Sequence, residues 1–244
     1  MLKIELINHG TLKSAFESIS SIIDEITMTA DEESLHLAAL SRDHITFINL
    51  DLSKEFFDTY ECRTPGKFAV DCNDFFTILK KCKKNEILEL DVDESAVTMI
   101  FKGDATRKFK IRQIDMEYDS PTPPLIEYSC KISIPSGLMK DYINDMTIFS
   151  DKIDFLVDED YLRIRGDGQM GDGEIQYIHG ENISQVIKSC FSIPKLQDIF
   201  KASKFSEESE IHLGDDMPIK VDFNLVTGDG KLSYLLAPRL ETED

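Results

Sequence analysis

The sequence predicts an α+β chain of two similar domains, each built from antiparallel sheet with two helices. Three observations predict it. Apolar and polar residues alternate in many short segments, only four stretches carry the helical period, and the segment order of the first half recurs in the second.

The alternating segments include Leu2-Lys3-Ile4-Glu5-Leu6, Ile48-Asn49-Leu50-Asp51-Leu52 and Leu88-Glu89-Leu90-Asp91-Val92. Leu162-Arg163-Ile164-Arg165 and Ile219-Lys220-Val221-Asp222-Phe223-Asn224-Leu225 continue the pattern. Period two with one polar face predicts antiparallel strands in half-solvated sheets. Gly166-Asp167-Gly168, Gly171-Asp172-Gly173 and Gly228-Asp229-Gly230 offer the positive φ of hairpin turns. Arg165-Gly166-Asp167 therefore reads as a hairpin tip, not an adhesion motif.

Helical spacing links Leu12, Ala15, Phe16, Ile19, Ile22, Ile23 and Ile26, with Thr11 as the expected N-cap. Phe75, Ile78, Leu79 and Cys82 follow Asn73, while Leu138, Met139, Tyr142, Ile143 and Met146 follow Ser136. Leu196, Ile199 and Phe200 follow Pro194, which suits a first helical turn.

Four alignments suggest duplication. Ala30–Leu37 matches Val157–Ile164, and Phe68-Ala69-Val70 matches Phe191-Ser192-Ile193. Glu86-Ile87 matches Glu210-Ile211, and Val97–Phe101 matches Ile219–Phe223. Pro121, Pro123 and Pro124 forbid helix or central strand between the halves. The expected organisation is a domain over 1–115, a stiff connector over 116–127 and a second domain over 128–244.

Composition narrows the function. The 244 residues hold 27 bases and 46 acids, a net charge of −19, which excludes a conventional basic nucleic-acid binder. With 41% hydrophobic and 30% charged residues the chain is globular, not disordered. No apolar run nears the ~18 residues of a membrane span, and the alternating N-terminus is no signal peptide, so a cytoplasmic or nuclear setting is expected. The five cysteines lack CxxC spacing and read as reduced, mostly buried thiols.

Catalytic signatures are missing: there is no GxxxxGK[ST], GxGxxG, HExxH or GxSxG. His9, His36, His44, His179 and His212 are scattered, and the Asp-rich runs at 91–94 and 167–172 fail the EF-hand pattern. No enzyme, metal or cofactor is expected. An acidic hydrolase using an unrecognised carboxylate pair and a generic interaction module stay open at this point.

Charge placement says more than the total. Lys80, Lys81, Lys83 and Lys84 stand against Asp74 alone around the second helix, and Lys195, Lys201 and Lys204 against Asp198 around the fourth. The first helix exposes Lys13, and the third Lys140 beside Asp141, Asn144 and Asp145. Positive charge on equivalent helices of a duplicated acidic chain fits a surface that meets a polyanion through its phosphates.

These residues resemble a known family over essentially the whole chain. Ser41–Leu50, Phe56-Phe57-Asp58-Thr59-Tyr60-Glu61-Cys62, Glu127–Gly137 and Leu232–Glu241 carry the likeness. In order and spacing they are similar to the sliding clamps of DNA replication, the proliferating-cell-nuclear-antigen type. The short Glu241-Thr242-Glu243-Asp244 tail resembles the archaeal members.

The resemblance implies the DNA clamp fold in a closed homotrimeric ring around duplex DNA, with helices lining the hole. It places Lys13, Lys80 and Lys201 on the DNA side; Lys81, Lys83, Lys84, Lys140 and Lys204 join them by charge. Asp141 and Asn144 depart from the family, standing where bases are common.

It also implies a pocket for partner peptides, which carry a glutamine and two aromatics. Its wall would be Leu40, His44, Ile45 and Phe47 with Pro218, Leu235, Leu236, Ala237 and Pro238. Pro123, Pro124, Leu125 and Ile126 would form the strap above it. Ring contacts would fall on Phe109, Lys110 and Ile111 and on Ile175 and Tyr177 of the next copy. The implied partners are a clamp loader, the replicative DNA polymerase, a flap endonuclease and DNA ligase, with no membrane. A subunit of a heterotrimeric or checkpoint clamp is the alternative.

Overall fold

The computed structural model describes residues 2–115, 121–181, 183 and 185–239. Residues 116–120 of the expected connector and the 240–244 tail lie outside the described residues.

The first half runs β1 (Leu2–Leu6), α1 (Gly10–Ile22), β2 (Glu25–Ala30), β3 (Ser34–Leu40), β4 (Thr46–Ser53), β5 (Thr59–Cys62), β6 (Gly66–Asp71), α2 (Cys72–Leu79), β7 (Ile87–Val92), β8 (Ala96–Lys102) and β9 (Thr106–Arg112). The second half gives β10 (Cys130–Pro135), α3 (Ser136–Met146), β11 (Lys152–Val157), β12 (Tyr161–Gly168), β13 (Gly171–Ile178), β14 (Ile187–Ser192), α4 (Ile193–Phe200), β15 (Glu208–Leu213), β16 (Ile219–Asn224) and β17 (Gly230–Leu236). A 3-10 turn, Lys201–Lys204, extends α4.

The strands form three sheets, ordered β5-β1-β7-β8-β9, β13-β12-β11-β14 and β10-β15-β16-β17-β4-β3-β2-β6. The eight-stranded sheet crosses both halves through the antiparallel β17–β4 pair, from Gly230 opposite Leu52 to Leu236 opposite Thr46. The expected alternating segments fall on strands, except that β16 ends at Asn224 and leaves Leu225 just beyond it.

Four short helices pack on the sheets because each has one apolar stripe. α1 buries Leu12, Ala15, Phe16 and Ile19, and Phe16 meets Phe75 of α2 at 4.7 Å. α4 buries Leu196, Ile199 and Phe200, and Phe200 stands edge-on to Phe223 of β16. Tyr234 of β17 is fully buried, so its hydroxyl needs a partner. It donates to Ser18 Oγ at 2.7 Å, and Ser18 donates to the Asp198 carbonyl at 2.7 Å. That chain ties α1 of one half to α4 of the other.

The duplication holds with two corrections. The β2–β3 hairpin corresponds to β11–β12, and β8 to β16, as aligned. Val70 faces Ile26 just as Phe191 faces Ile153, so Val70 corresponds to Phe191, not Ile193. Leu90 opposite Met99 corresponds to Ile211 opposite Val221, which moves Glu86 onto Glu207 instead of Glu210.

Two expected caps also move. α1 starts at Gly10 behind His9, which places Thr11 inside the first turn. α2 is capped by Asp71, whose carboxylate accepts the Asp74 N–H at 2.8 Å, and Asn73 is already helical. Ile26 lies on β2, and Cys82 lies beyond the end of α2.

Gly166-Asp167-Gly168 and Gly171-Asp172-Gly173 are strand residues, with the tip at Gln169-Met170. Gly171 and Gly228 take the expected positive φ, 139° and 78°, while two others serve close approach: a Cβ on Gly168 would collide with the Phe149 carbonyl, and one on Gly173 with the Phe149 ring.

Candidate nucleic-acid and partner interfaces

The helices form one layer in which α1 packs on α2, α3 on α4, and α1 on α4. Between them opens a cleft of about 350 Å³ lined by Glu17, Ser20, Ser21, Asn73, Phe76, Thr77, Lys80 and Lys201. Lys80 reaches over the Phe76 ring, 5.6 Å from its centre. Lys201 holds Asp198 at 2.6 Å. Two lysines from opposite halves thus meet at one hydroxyl-rich groove, with Glu17 as the one acid among its lining residues and Asp198 beside Lys201.

Lys81, Lys83 and Lys84 are exposed on the loop after α2, Lys204 is exposed after α4, and Lys140 is half-buried on α3. The loop after α2 is held from beneath. His9 Nε2 lies 3.0 Å from the Lys83 carbonyl and 3.2 Å from that of Glu86. Arg107 donates to the Lys81 carbonyl at 2.9 Å and to Glu86 at 2.6 Å, and Glu86 accepts the Lys83 N–H at 2.7 Å.

Lys13 belongs to this support. Its ammonium donates to the Cys82 carbonyl, and burial lowers its pKa, so its place is below the lysine loop. His9, Glu86 and Arg107 were not singled out from sequence. The His9 contacts span 74 and 77 positions and those of Arg107 span 26 and 21, which no local pattern records; only the Glu86–Lys83 contact is local. α3 adds little positive charge: Asp141, Asn144 and Asp145 are exposed, and Asn144 accepts from Gln197 at 2.9 Å.

On the opposite face of the eight-stranded sheet, Leu40, Phe47 and Leu235 lie in one row across β3, β4 and β17. Phe47 and Leu235 are buried yet stand apart from the main core, and Leu40 and Ile45 are 39% exposed. His44 is exposed with φ 57°, turning the loop between β3 and β4. Ala237 donates its N–H to the Ile45 carbonyl at 3.0 Å, which seats Ala237 and Pro238 beside that loop; Pro218 is half-buried at the head of β16.

Leu236 is a correction. It is 1% exposed and packs in the core on the other side of the sheet, as alternation along β17 requires. Pro123, Pro124 and Leu125 are exposed, Leu125 completely, and Ile126 is half-buried.

Six strands end the three sheets among the described residues, β5 and β9, β13 and β14, and β10 and β6, and two of them carry the expected ring contacts. β9 is the outer strand of the five-stranded sheet and β13 of the four-stranded one. Phe109, Ile111, Ile175 and Tyr177 face their cores, and Phe109 packs on Phe101 at 5.2 Å. Lys108, Lys110 and Arg112 point out from β9, Asp172 and Glu174 from β13.

Glu210, His212 and Asp222 are near enough to share a metal ion. Ammonium groups already match the charge: Lys220 and Lys231 lie 2.9 and 3.0 Å from Asp222, and Lys131 lies 2.6 Å from Glu210. Burial alone would raise the Asp222 carboxyl. Contacts from His212, Ser233, Lys220 and Lys231 more than offset it and leave the pKa lowered. The five cysteines are free, and burial pushes Cys72 up to about 12 and Cys82 and Cys190 to about 11, which makes poor nucleophiles. No helix among the described residues is long and apolar enough to cross a membrane.

A duplicated chain with a lysine-bearing helix layer and an open edge on each half has the build of one repeat in a larger closed assembly. The chain belongs to the proliferating cell nuclear antigen family: the N-terminal domain model of that family matches residues 1–120 and the C-terminal domain model 123–239. It is 50% identical over 244 residues, the full length of both, to a DNA polymerase sliding clamp of Methanobrevibacter smithii. A DNA polymerase sliding clamp of Methanothermobacter thermautotrophicus is 45% identical, again over both full lengths. The crystal structure of the Thermococcus kodakaraensis family member superposes with a TM-score of 0.89 at 21% identity, covering 98% of this chain and 100% of that one.

Proposed function

We propose that this chain is a DNA sliding clamp, a processivity factor that encircles duplex DNA and tethers DNA polymerase to it. The observation that carries the reading is strand pairing inside the chain. By the internal duplication, β9 is the counterpart of β17 and β13 of β4. β17 and β4 pair with each other, whereas β9 and β13 are both outer strands. Another copy can supply the pairing they lack, and head-to-tail repetition of one contact closes a ring.

Transferring the internal register sets Arg107 opposite Ile175, Lys108 opposite Glu174, Phe109 opposite Gly173 and Lys110 opposite Asp172 of the next copy. Half-buried residues then face half-buried ones, and bases face acids.

Three copies make the ring, as family resemblance implies, with Lys80 and Lys201 lining it and Lys81, Lys83, Lys84, Lys140 and Lys204 around them. A ring needs no tight grip, because topology prevents escape. Sparse lysines favour phosphates while permitting sliding, and the acidic exterior repels non-productive DNA contact.

The row Leu40–Phe47–Leu235, with His44, Ile45, Pro218, Ala237 and Pro238 and the strap Pro123–Ile126, receives partner peptides. Clamp loader, flap endonuclease and ligase dock there as the polymerase does. The domains divide as 1–115 and 128–244 about the 116–127 connector. The protein catalyses nothing and works in the cytoplasm.

Primer extension on a circular template tests the reading: the loaded chain lengthens the product of each polymerase binding event, and unchanged length contradicts it. A mass three times the 27.8 kDa monomer for the chain alone separates a homotrimer from a heterotrimer subunit.

A further inference from the structure

The loop between β3 and β4 forms one wall of the outer-face pocket, and a single carboxylate organises it. Asp43 Oδ1 accepts the Ser41 hydroxyl at 2.5 Å and the Ile45 N–H at 3.3 Å. Its other oxygen accepts Lys195 Nζ at 2.5 Å, from a residue 152 positions away on α4. These contacts, Lys195 first, hold the Asp43 carboxyl down at about 2.

Lys195 sits in the first turn of α4, where a cation meets the positive end of the helix dipole. α4 has no acid in its own first turn and no side-chain cap from Ser192. Asp43 brings that anion from the other half of the chain.

The second pocket wall reaches the same place. Arg239 donates its N–H to the Cys190 carbonyl at 2.7 Å and its guanidinium to Asp151 at 2.9 Å. The Asp151 carbonyl in turn accepts the N–H of Ile193, the first residue of α4, at 2.9 Å. Both walls are therefore anchored at the start of one helix.

We infer that Lys195 is a positioning residue for partner binding: through Asp43 it fixes the Ser41–Ile45 wall at the width a partner peptide requires. The inference rests on the outer-face row being the partner site. Both side chains are partly exposed, 32% for Lys195 and 40% for Asp43, so the pair adds little to global stability. Its effect is local order.

The test uses the full-length protein and a fluorescein-labelled synthetic peptide bearing one glutamine and two aromatic residues, with anisotropy as readout. Lys195→Met weakens binding about three- to fivefold, the size of one exposed ion pair. Its melting temperature and solution mass stay those of the unsubstituted protein. Lys195→Arg, which keeps the charge, binds within about twofold of the unsubstituted protein. Hydrogen exchange at His44, Ile45 and Thr46 quickens in Lys195→Met by a similar factor.

Unchanged peptide affinity and unchanged exchange in Lys195→Met would overturn the proposal. So would a loss of affinity that Lys195→Arg shares. If the unsubstituted protein binds no such peptide, the pocket reading fails and the partner-binding role with it; the exchange data then show separately whether Asp43 and Lys195 order the loop.

Discussion

Reversing the charges of β9 tests the ring contact most sharply. Lys108 and Lys110 are exposed on the outer strand of their sheet, and the transferred register sets them opposite Glu174 and Asp172 of the next copy. An exposed cross-strand pair contributes about 0.5 kcal/mol. Reversal replaces attraction by comparable repulsion, so Lys108→Glu with Lys110→Glu costs about 1 kcal/mol per pair and about 2 kcal/mol per contact, roughly 30-fold in affinity. At about 1 µM protein and 0.1 M salt, light scattering should show the variant below trimer mass, and about 1 M salt should restore part of the ring by screening the repulsion. Adding Asp172→Lys and Glu174→Lys in the same chain should bring the trimer back, incompletely, because Arg165 now holds Glu174. A trimer that survives the reversal in low salt, or one the complementary pair fails to restore, refutes the register.

Phe109→Ala removes a ring that packs on Phe101 and, in the proposed contact, covers Gly173; it should lower trimer mass at low micromolar concentration while the fold melts cooperatively, and an intact trimer there contradicts it. Leu235→Ala should weaken peptide binding with little loss of stability, whereas Leu236→Ala should cost about 2–5 kcal/mol in denaturant unfolding, since Leu236 alone of the two is in the core. Equal stability losses would contradict that division. On linear DNA with free ends, Lys80→Glu with Lys201→Glu should hasten the sliding off of loaded rings and flatten the salt dependence of that release, without changing ring mass. Asp222→Asn should destabilise by about 2 kcal/mol near neutral pH. Its native pKa is depressed, so the contribution is present above the unfolded value of 3.8 and lost as pH falls toward the native one. Urea midpoints of the two proteins should therefore converge below pH 4, and a constant gap would count against the network.

Legibility in the sequence followed the range of the forces. Strands such as Leu88–Val92 were readable because a half-solvated sheet imposes its period on adjacent residues. Helix starts were less so: Thr11 and Asn73 have the right chemistry, but His9 and Asp71 occupy the turns where the chain enters each helix. Of the glycines at 166–173, Gly171 takes the expected positive φ, 139°, whereas Gly168 and Gly173 admit Phe149. Lysine clustering after α2 and around α4 was visible, while the tie of half-buried Lys13 to the Cys82 carbonyl was not, since that partner is 69 positions away. The outer-face row was legible only in part, because Leu235 and Leu236 are adjacent and chemically alike, and only the pleat sends one out and the other in.

The central claim is that the chain holds DNA by topology. Loading the clamp on a nicked circular plasmid and cutting the circle once, in moderately high salt, tests it directly. Retention on the circle with release within seconds of linearisation is the predicted result, and release should be blocked when bulky proteins cap both ends. Protein that stays on the open-ended linear DNA as long as on the circle would contradict encirclement.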